Sequence, residues 1–576
     1  DATAHSIEAR LDDYTTQWVA ARQDACMATR VRGDQSDEVM GLRMACFDDR
    51  LRELGTLVDR LVETDRATIG RAVAASYSLT DLSECADLAA LRGPGKPPSD
   101  PAAVAFARAK LTVARALEQT GRFREGLAAV SAAAPLVTVA GYRPVEAEAA
   151  LLEGTLQSEV DAPAAAVTAL ERAVWAAEAS GYDRVAAKAL VELVHVHGTR
   201  AEFGGADAAQ ARASAALERI GHPADLSAEL DFAVGSVDAV RGDLAGAETS
   251  LARALHTSAS LRGEDDLRLA ATLVALGQVE LRRMNGTAVP HLERAREIEE
   301  RLLGPEHPDL SIVHAALGGA AYERGDYEGA AAHYVRAIAL IEHALGRDSI
   351  QVANALANLA LVRQWQGRAD DALAEIDEAL AIDAKVLPAT DPNVASHLVT
   401  KADILEQVSR HADALGVLDR ALGMMHSLYG ADHQEIADAL QSRALIGLES
   451  GRLAGALADG RDALAMLARV NPSFPTMELE RTLGRIELAR HDPAAAIPYF
   501  ESASRHELPG ADPFSTALLR SLYGRALVEA NRDRGKGLAL VRASYTTLRA
   551  DPRDDHEATE LARWMRAAGI AVPAAP

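Results

Sequence analysis

The sequence predicts an all-α protein: a solenoid of about eleven helix–turn–helix repeats of 40–42 residues, preceded by a small helical domain. Three observations predict it. An alanine returns every 40 to 42 residues through Ala133, Ala173, Ala213, Ala254, Ala295, Ala337, Ala379, Ala421, Ala463, Ala503 and Ala543. Seven positions ahead of most of these lies another small residue, such as Ala166, Ala247, Ala330 or Ala496, and three ahead a large apolar one, such as Leu170, Leu251, Tyr334 or Phe500. Apolar residues make up 48% of the chain but aromatics only 4%, so the core must rest on Ala and Leu at close helix contacts. A fixed period of this length marks stacked units, none of which can bury its apolar face alone. An array of 576 residues grows by adding neighbours and needs no single large core.

Residues 1–92 stand outside the period and form the N-terminal helical domain. Ile7, Leu11, Tyr14, Trp18, Ala21, Ala25 and Cys26 trace one helical stripe that Gly33 interrupts. Val39, Leu42, Cys46, Leu54, Leu57 and Leu61 trace a second, and Ile69 to Tyr77 and Leu82 to Leu91 suggest two shorter helices. All three cysteines, Cys26, Cys46 and Cys85, lie here. Three thiols allow at most one internal bridge. Folding about Gly33 sets Cys26 beside Met40, roughly 9 Å along the axis from Cys46 at 1.5 Å per residue, which disfavours that pair. One disulfide and three buried thiols both stay open. Residues 93–101, with Pro94, Pro97, Pro98 and Pro101, read as a linker.

The repeat array spans 102–550, and its clearest unit is Leu310 to Leu345. Ile312, Val313, Ala316, Leu317, Ala320 and Ala321 follow helical spacing, Gly325 supplies a turn, and Ala330, Tyr334, Ala337, Ile338 and Ile341 form the face of a second helix. Gly318 and Ala330 are small where the two helices cross. In the third and last copies Gln210 and Lys536 replace the expected residues. Residues 551–576 form a C-terminal cap and tail, with Leu561 and Trp564 on one face of a helix from Asp554 to Ala568 that covers the last repeat.

Leu317, Gly318, Gly325, Tyr327, Ala330, Tyr334 and Ala337 resemble the tetratricopeptide repeat (TPR), which implies a right-handed α-solenoid. The 42-residue step is longer than the common 34, and is similar to the repeats of kinesin light chain and its bacterial relatives. A second resemblance lies in residues 18–87. The run Trp18 to Cys26, then Gln35-Ser36, Arg43 to Phe47 and Glu84 to Asp87, looks like a segment of myxobacterial-type serine/threonine protein kinases. In that family a kinase domain comes first, usually then a membrane helix, then this segment and a TPR array. The resemblance implies the sensory or partner-binding half of such a kinase. It would be periplasmic if a membrane helix lies upstream, with a disulfide reasonable, and cytoplasmic with free thiols if none does. The chain opens on Asp1 rather than Met and reads as a piece of a longer polypeptide.

No catalytic chemistry is expected within it. The Gly-rich loop and the His-Arg-Asp, Asp-Phe-Gly and Ala-Pro-Glu motifs of kinases are absent, and Asp231-Phe232-Ala233 falls in the first helix of a repeat. Gly95-Lys96 lacks the rest of a phosphate loop. His195 and His197, two apart, diverge on a helix rather than converge on a metal, and no cofactor is implied. With 60 basic and 84 acidic residues, a net charge of −24, the chain shows no basic stripe for nucleic acid. No stretch reaches the ~18 apolar residues of a membrane span.

The expected partner is therefore a protein or peptide on the concave face, lined by the first helix of each repeat. Equivalent positions 42 residues apart give two rows, Ala316, Asn358, Thr400, Ser442 and Ile312, Asn354, Ser396, Asp438. Both rows turn polar in the same three repeats. Asn both donates to and accepts from a peptide backbone, and Asn358 matches a peptide-binding asparagine of related arrays. Arg363, Gln364 and Trp365 close the same helix as flanking candidates. A free-standing scaffold and the regulatory array of an ATPase-type transcriptional activator are the competing readings.

Overall fold

The computed structural model describes residues 2–63, 69–86, 91, 97–160, 162–262, 266–283, 286–470, 474, 476–506, 512–551 and 555–573. Among them are twenty-six α-helices and no strand. Helices α1 (Ala2–Met27), α2 (Asp37–Val62) and α3 (Ile69–Tyr77) come first. Twenty-two more, α4 to α25, pair into eleven hairpins. Repeats 1 to 6 are Pro101–Gln119 with Phe123–Ala140, Arg143–Glu159 with Pro163–Ser180, Asp183–Thr199 with Phe203–Arg219, Ala224–Arg241 with Leu244–Arg262, Leu267–Arg283 with Ala288–Leu303, and Leu310–Glu323 with Tyr327–Leu345. Repeats 7 to 11 are Ile350–Trp365 with Ala369–Val386, Pro392–Gln407 with His411–Tyr429, Gln434–Glu449 with Leu453–Val470, Met477–Ala489 with Pro493–Arg505, and Pro513–Glu529 with Arg534–Ala550. Helix α26 (Asp555–Ala567) follows. Contacts divide the chain into two units, Asp1–Gly346 with α1 to α3 and repeats 1 to 6, and Arg347–Pro576 with repeats 7 to 11 and α26.

Most of the described hairpins turn on one left-handed residue. In repeat 6 it is Gly325 (φ 75), and the Asp326 N–H reaches back to the Ala321 carbonyl at 2.9 Å, a bond that satisfies an orphan carbonyl of the first helix. Repeat 8 makes the same turn with Ser409 (φ 58) and the Arg410 N–H bonded to Leu405 O at 2.8 Å. The geometry is thus kept where the sequence gives up glycine.

The second helices carry the period. Ten of the eleven periodic alanines, Ala133 to Ala503, are buried. Their small partners seven residues earlier, from Gly126 to Ala496, are buried with them. The last copy departs from expectation: Ala543 is exposed, and the buried set is Gly537, Val541 and Ser544. The cause is one extra turn residue, since both Asn531 (φ 52) and Asp533 (φ 44) are left-handed and the helix starts a residue late.

Residue size is matched across several of the hairpins. A Cβ at Gly318 would lie 3.0 Å from the Tyr334 ring, one at Gly277 2.7 Å from Leu292, and one at Gly484 2.5 Å from Phe500. In repeat 8, where the large residue is Leu418, the facing position is Ala402. Close packing therefore explains the small residue on the first helix by the large one on the second.

Three further expectations are revised. Only Leu82–Ala86 of the fourth N-terminal helix is described before Leu91, and it is a single 3-10 turn. Residues 93–96 of the linker lie outside the described residues, and Pro101 is already the first residue of a helix, capped by the Asp100 carboxylate on the Ala102 and Ala103 N–H groups. Phe123–Ala140 also has the length and mean hydropathy of a membrane span, against the expectation that no stretch would. In this fold it is the second helix of repeat 1, with Val130, Ala133 and Val137 in that repeat's core.

Candidate peptide-binding face of repeats 7 to 9

The first helices of repeats 7, 8 and 9 bury Val352, Leu356, Leu359, Val394, Leu398, Ala402, Ile436, Leu440 and Ala444. The residues between those stripes are left for another surface. Asn358 and Ser396 are exposed, and Asn354, Thr400, Asp438 and Ser442 half-buried. Their helices adjoin in sequence of repeats, so the two predicted rows share one face.

The hydroxyls on it are partly committed. The Thr400 hydroxyl donates to the Ser396 carbonyl at 3.4 Å, and Ser442 hydrogen-bonds Asp403 of the preceding repeat. Gln364 donates to the Asp403 carbonyl, and Gln407 to the Gln364 carbonyl, both at 3.3 Å. These bonds tie repeats 7, 8 and 9 together along the face. Trp365 is 57% exposed at its end.

Arg363 is not brought to this face. Five residues beyond Asn358, it sits about 140° round the helix. Its side chain is only 15% exposed, with Nε 3.4 Å from Glu375 and a terminal nitrogen donating to Gln366 at 2.9 Å. The other basic residues of these helices turn away likewise: Lys401 pairs with Asp377 at 2.6 Å, and Arg443 with Asp459 at 2.7 Å and Asp419 at 2.8 Å. Each cation is thus spent on a second helix.

The carboxylates remain. Burial, reinforced by Glu406 and opposed by the Ser442 hydrogen bond, pushes Asp403 up to about 6. Burial and the neighbouring Glu435 carboxylate push Asp438 up to about 6, against the pull of His433. Glu406 is raised by burial and by Glu449, and Glu449 itself pairs with Arg485 at 2.7 Å. Asp403 escaped the sequence reading because its row, Leu361, Asp403 and Leu445, is polar in one repeat of three. The signal was the exception.

First helices of repeats 1 and 3 are met by the N-terminal segment of the chain itself. Helices α2 and α3 pack on the first helix of repeat 1. Glu84 reaches Arg184 of repeat 3 at 3.1 Å, which also holds Asp225 of repeat 4 at 2.5 Å, and Gln119 donates to the Ser78 carbonyl at 3.3 Å. Nearby, burial with Glu229, Glu118 and Glu159 pushes Glu192 up to about 7.

The residues behind the kinase-like resemblance form one bonded group. The Trp18 indole donates to Phe47 O at 2.8 Å, Gln35 to Ala25 O at 2.6 Å, and Arg43 to Cys85 O at 3.2 Å. Cys46 and Cys85 form a disulfide with Cα atoms 5.6 Å apart, and Cys26 is a free, exposed thiol. These side chains brace a fold. Among the described residues no group of three or more His, Cys, Asp or Glu could hold a metal. His195 is exposed, and His197 bonds Glu202 at 2.8 Å.

Comparison with known proteins bears on the array. The tetratricopeptide repeat family matches residues 282–343 and 351–425, so repeats 6 to 8 lie in a TPR region. No curated protein matches the chain. Among solved structures, kinesin-light-chain TPR-like repeats of Podospora anserina are 17% identical, covering 35% of this chain and 96% of that one, with a TM-score of 0.31. BtubC (BKLC) from P. vanneervenii is 20% identical over 42% of this chain and 90% of its own, TM-score 0.32. A tetratricopeptide repeat protein from Parabacteroides merdae is 18% identical over 52% and 99%, TM-score 0.35.

Proposed function

We propose that this protein is a non-catalytic interaction scaffold that docks an extended, cationic peptide segment of a partner on the first-helix face of repeats 7 to 9. The observation that carries this is the division of charge. Lys401, Arg363 and Arg443 are turned to second helices, while Asp403 and Asp438 share their face with Asn354, Asn358, Ser396 and Ser442. Amide side chains there can pair with a peptide backbone, and half-desolvated carboxylates favour an incoming Lys or Arg. On the kinase-like resemblance of residues 18–87, the scaffold serves as the docking half of a serine/threonine kinase; a free-standing scaffold is the alternative, and reading the gene upstream of Asp1 separates them.

The test uses the whole chain and a fluorescent peptide of alternating Lys and Ser, with a Glu-for-Lys analogue as control. The basic peptide binds and the acidic one does not. Asn354→Ala with Asn358→Ala, or Asp403→Asn with Asp438→Asn, weakens binding about tenfold, which is about 1.4 kcal/mol, with the melting curve nearly unchanged. Affinity falls as pH drops from 7 to 5, because both carboxyls take up protons near 6. Equal binding of the two peptides, or indifference to both double variants, refutes the assignment.

A further inference from the structure

On the other side of the first helix of repeat 8 lies a cavity of about 790 Å³, wedged between the second helix of repeat 7 and both helices of repeat 8. Its volume is in the range of small-molecule sites. Leu380, Leu387, Leu398 and Val417 make its walls, and they belong to one apolar cluster with Val394. Asp383 is part of its lining.

Asp383 is out of place in such a seam. It is fully enclosed, at 0% exposure, and its Oδ2 accepts from or pairs with His397 Nδ1 at 2.7 Å. His397 is buried too. Asp383 Oδ1 has no hydrogen-bond partner. A buried carboxylate oxygen left without a donor is costly, and most such atoms in folded proteins are satisfied. At the junction of repeats 8 and 9, one period on, the same two positions are Met425 and Ala439, both buried in the core. An apolar pair therefore serves the stacking of repeats, and the Asp–His pair is an addition to it.

The charges at the rim are already balanced. Lys401 is neutralised by Asp377 at 2.6 Å and Arg410 by Asp413 at 2.7 Å. Arg420 stands exposed, where water screens it. What is unmatched among the lining residues is Asp383 Oδ1, which has no donor. We propose that the cavity is a binding site for a hydrophobic amine: an ammonium group hydrogen-bonded to Asp383, held by an aliphatic or aromatic body between Leu387, Leu398 and Val417. His397 holds the second carboxylate oxygen and so fixes the first toward the ligand.

The site is independent of the peptide face, which uses Ser396, Thr400 and Asp403 of the same helix. The experiment titrates the full chain with n-hexylamine, n-hexanol and hexanoate, followed by calorimetry or ligand-observed NMR. The amine should bind at least tenfold tighter than the alcohol, and hexanoate weakest. Asp383→Asn should remove most of that preference. Because a single change can upset folding, the decisive variant is Asp383→Met with His397→Ala, which restores the pair found at the next junction and should fold as the parent does. It should bind amine and alcohol alike, while Asn354→Ala with Asn358→Ala keeps the amine preference intact. Equal binding of amine and alcohol by the parent, or an amine preference surviving in the Asp383→Met/His397→Ala chain, overturns the proposal and leaves the pair a stacking element.

Discussion

Replacing Gly484 by alanine tests whether small residues at the helix crossings are set by packing. A Cβ there would stand 2.5 Å from Phe500 Cε1 and 2.6 Å from Cζ, well inside van der Waals contact. Phe500 is fully buried, so its ring has no solvent-facing rotamer to retreat to. Overpacking of this kind costs about 1–3 kcal/mol. Alanine recovers about 1 kcal/mol of helix propensity over glycine, so the net loss is roughly 0–2 kcal/mol from these two terms. Gly423 supplies the control: it lies inside the exposed part of a helix with nothing within 4 Å of its would-be Cβ. Gly423→Ala should stabilise by about 0.5–1 kcal/mol. Urea unfolding followed by circular dichroism gives both values, and hydrogen exchange shows whether the loss is local to repeat 10, as nearest-neighbour coupling requires. Phe500→Leu in the Gly484→Ala chain recreates the Ala402–Leu418 pairing of repeat 8 and should recover part of the loss. If Gly484→Ala stabilises the chain as much as Gly423→Ala, the crossing argument is wrong.

Thiol chemistry and pH offer two more checks. Under non-reducing conditions a maleimide should label one thiol per native chain, Cys26, and three after reduction and unfolding; opening the Cys46–Cys85 bridge, 39 residues apart in sequence, should cost the N-terminal helices about 3–4 kcal/mol. Labelling of two or more thiols in the unreduced chain contradicts the pairing. Burial, with Asp309 adding, pushes Glu299 up to about 8. The native state then holds a proton that the unfolded chain releases near 4.5, so stability should fall as pH rises from about 4.5 to 8 and level off beyond. Glu299→Gln should flatten that slope; an unchanged slope would show that the carboxyl titrates normally.

The fold was legible because its core is written in one register. Ala337, Tyr334 and Gly318 report each other: once the second helix presents a ring, the first must present a hydrogen, and the pair recurs at a fixed distance. The register failed where a loop changed length, at Asp533, because a single inserted turn residue moves the buried set from Ala543 to Ser544 without altering composition. The cysteine pairing was not legible, since Cys85 meets Cys46 through a 3-10 turn and an Arg43 bond to its carbonyl that no period announces. Of the candidate face, Asn354, Asn358, Ser396 and Ser442 could be read as polar exceptions in a row. The direction of Arg363 could not, because a long side chain's course to Glu375 on the neighbouring helix is set by packing and not by the row pattern.

That contrast locates where such an array can acquire chemistry. The alanine lattice fixes the backbone, and any lattice position made polar pays in burial. Asp403 and Asp438 lie beside the lattice, so burial raises their affinity for protons and still leaves them beside the Asn354–Asn358 row. Asp383 lies on the lattice, at the position Met425 fills one repeat later, and there the carboxylate is enclosed with one oxygen unmatched. The first kind of substitution costs the fold little and can vary with the partner. The second is tolerated only if something compensates it: the His397 bond, which supplies half, and a ligand donor, which would supply the rest. The measured stability of the Asp383→Met/His397→Ala chain bears on this directly, because replacing both partners of a buried hydrogen bond by apolar residues of similar shape is often neutral or stabilising. A gain in the absence of amine, shrinking as amine is added to the parent, is what a lattice position held open for a ligand should show.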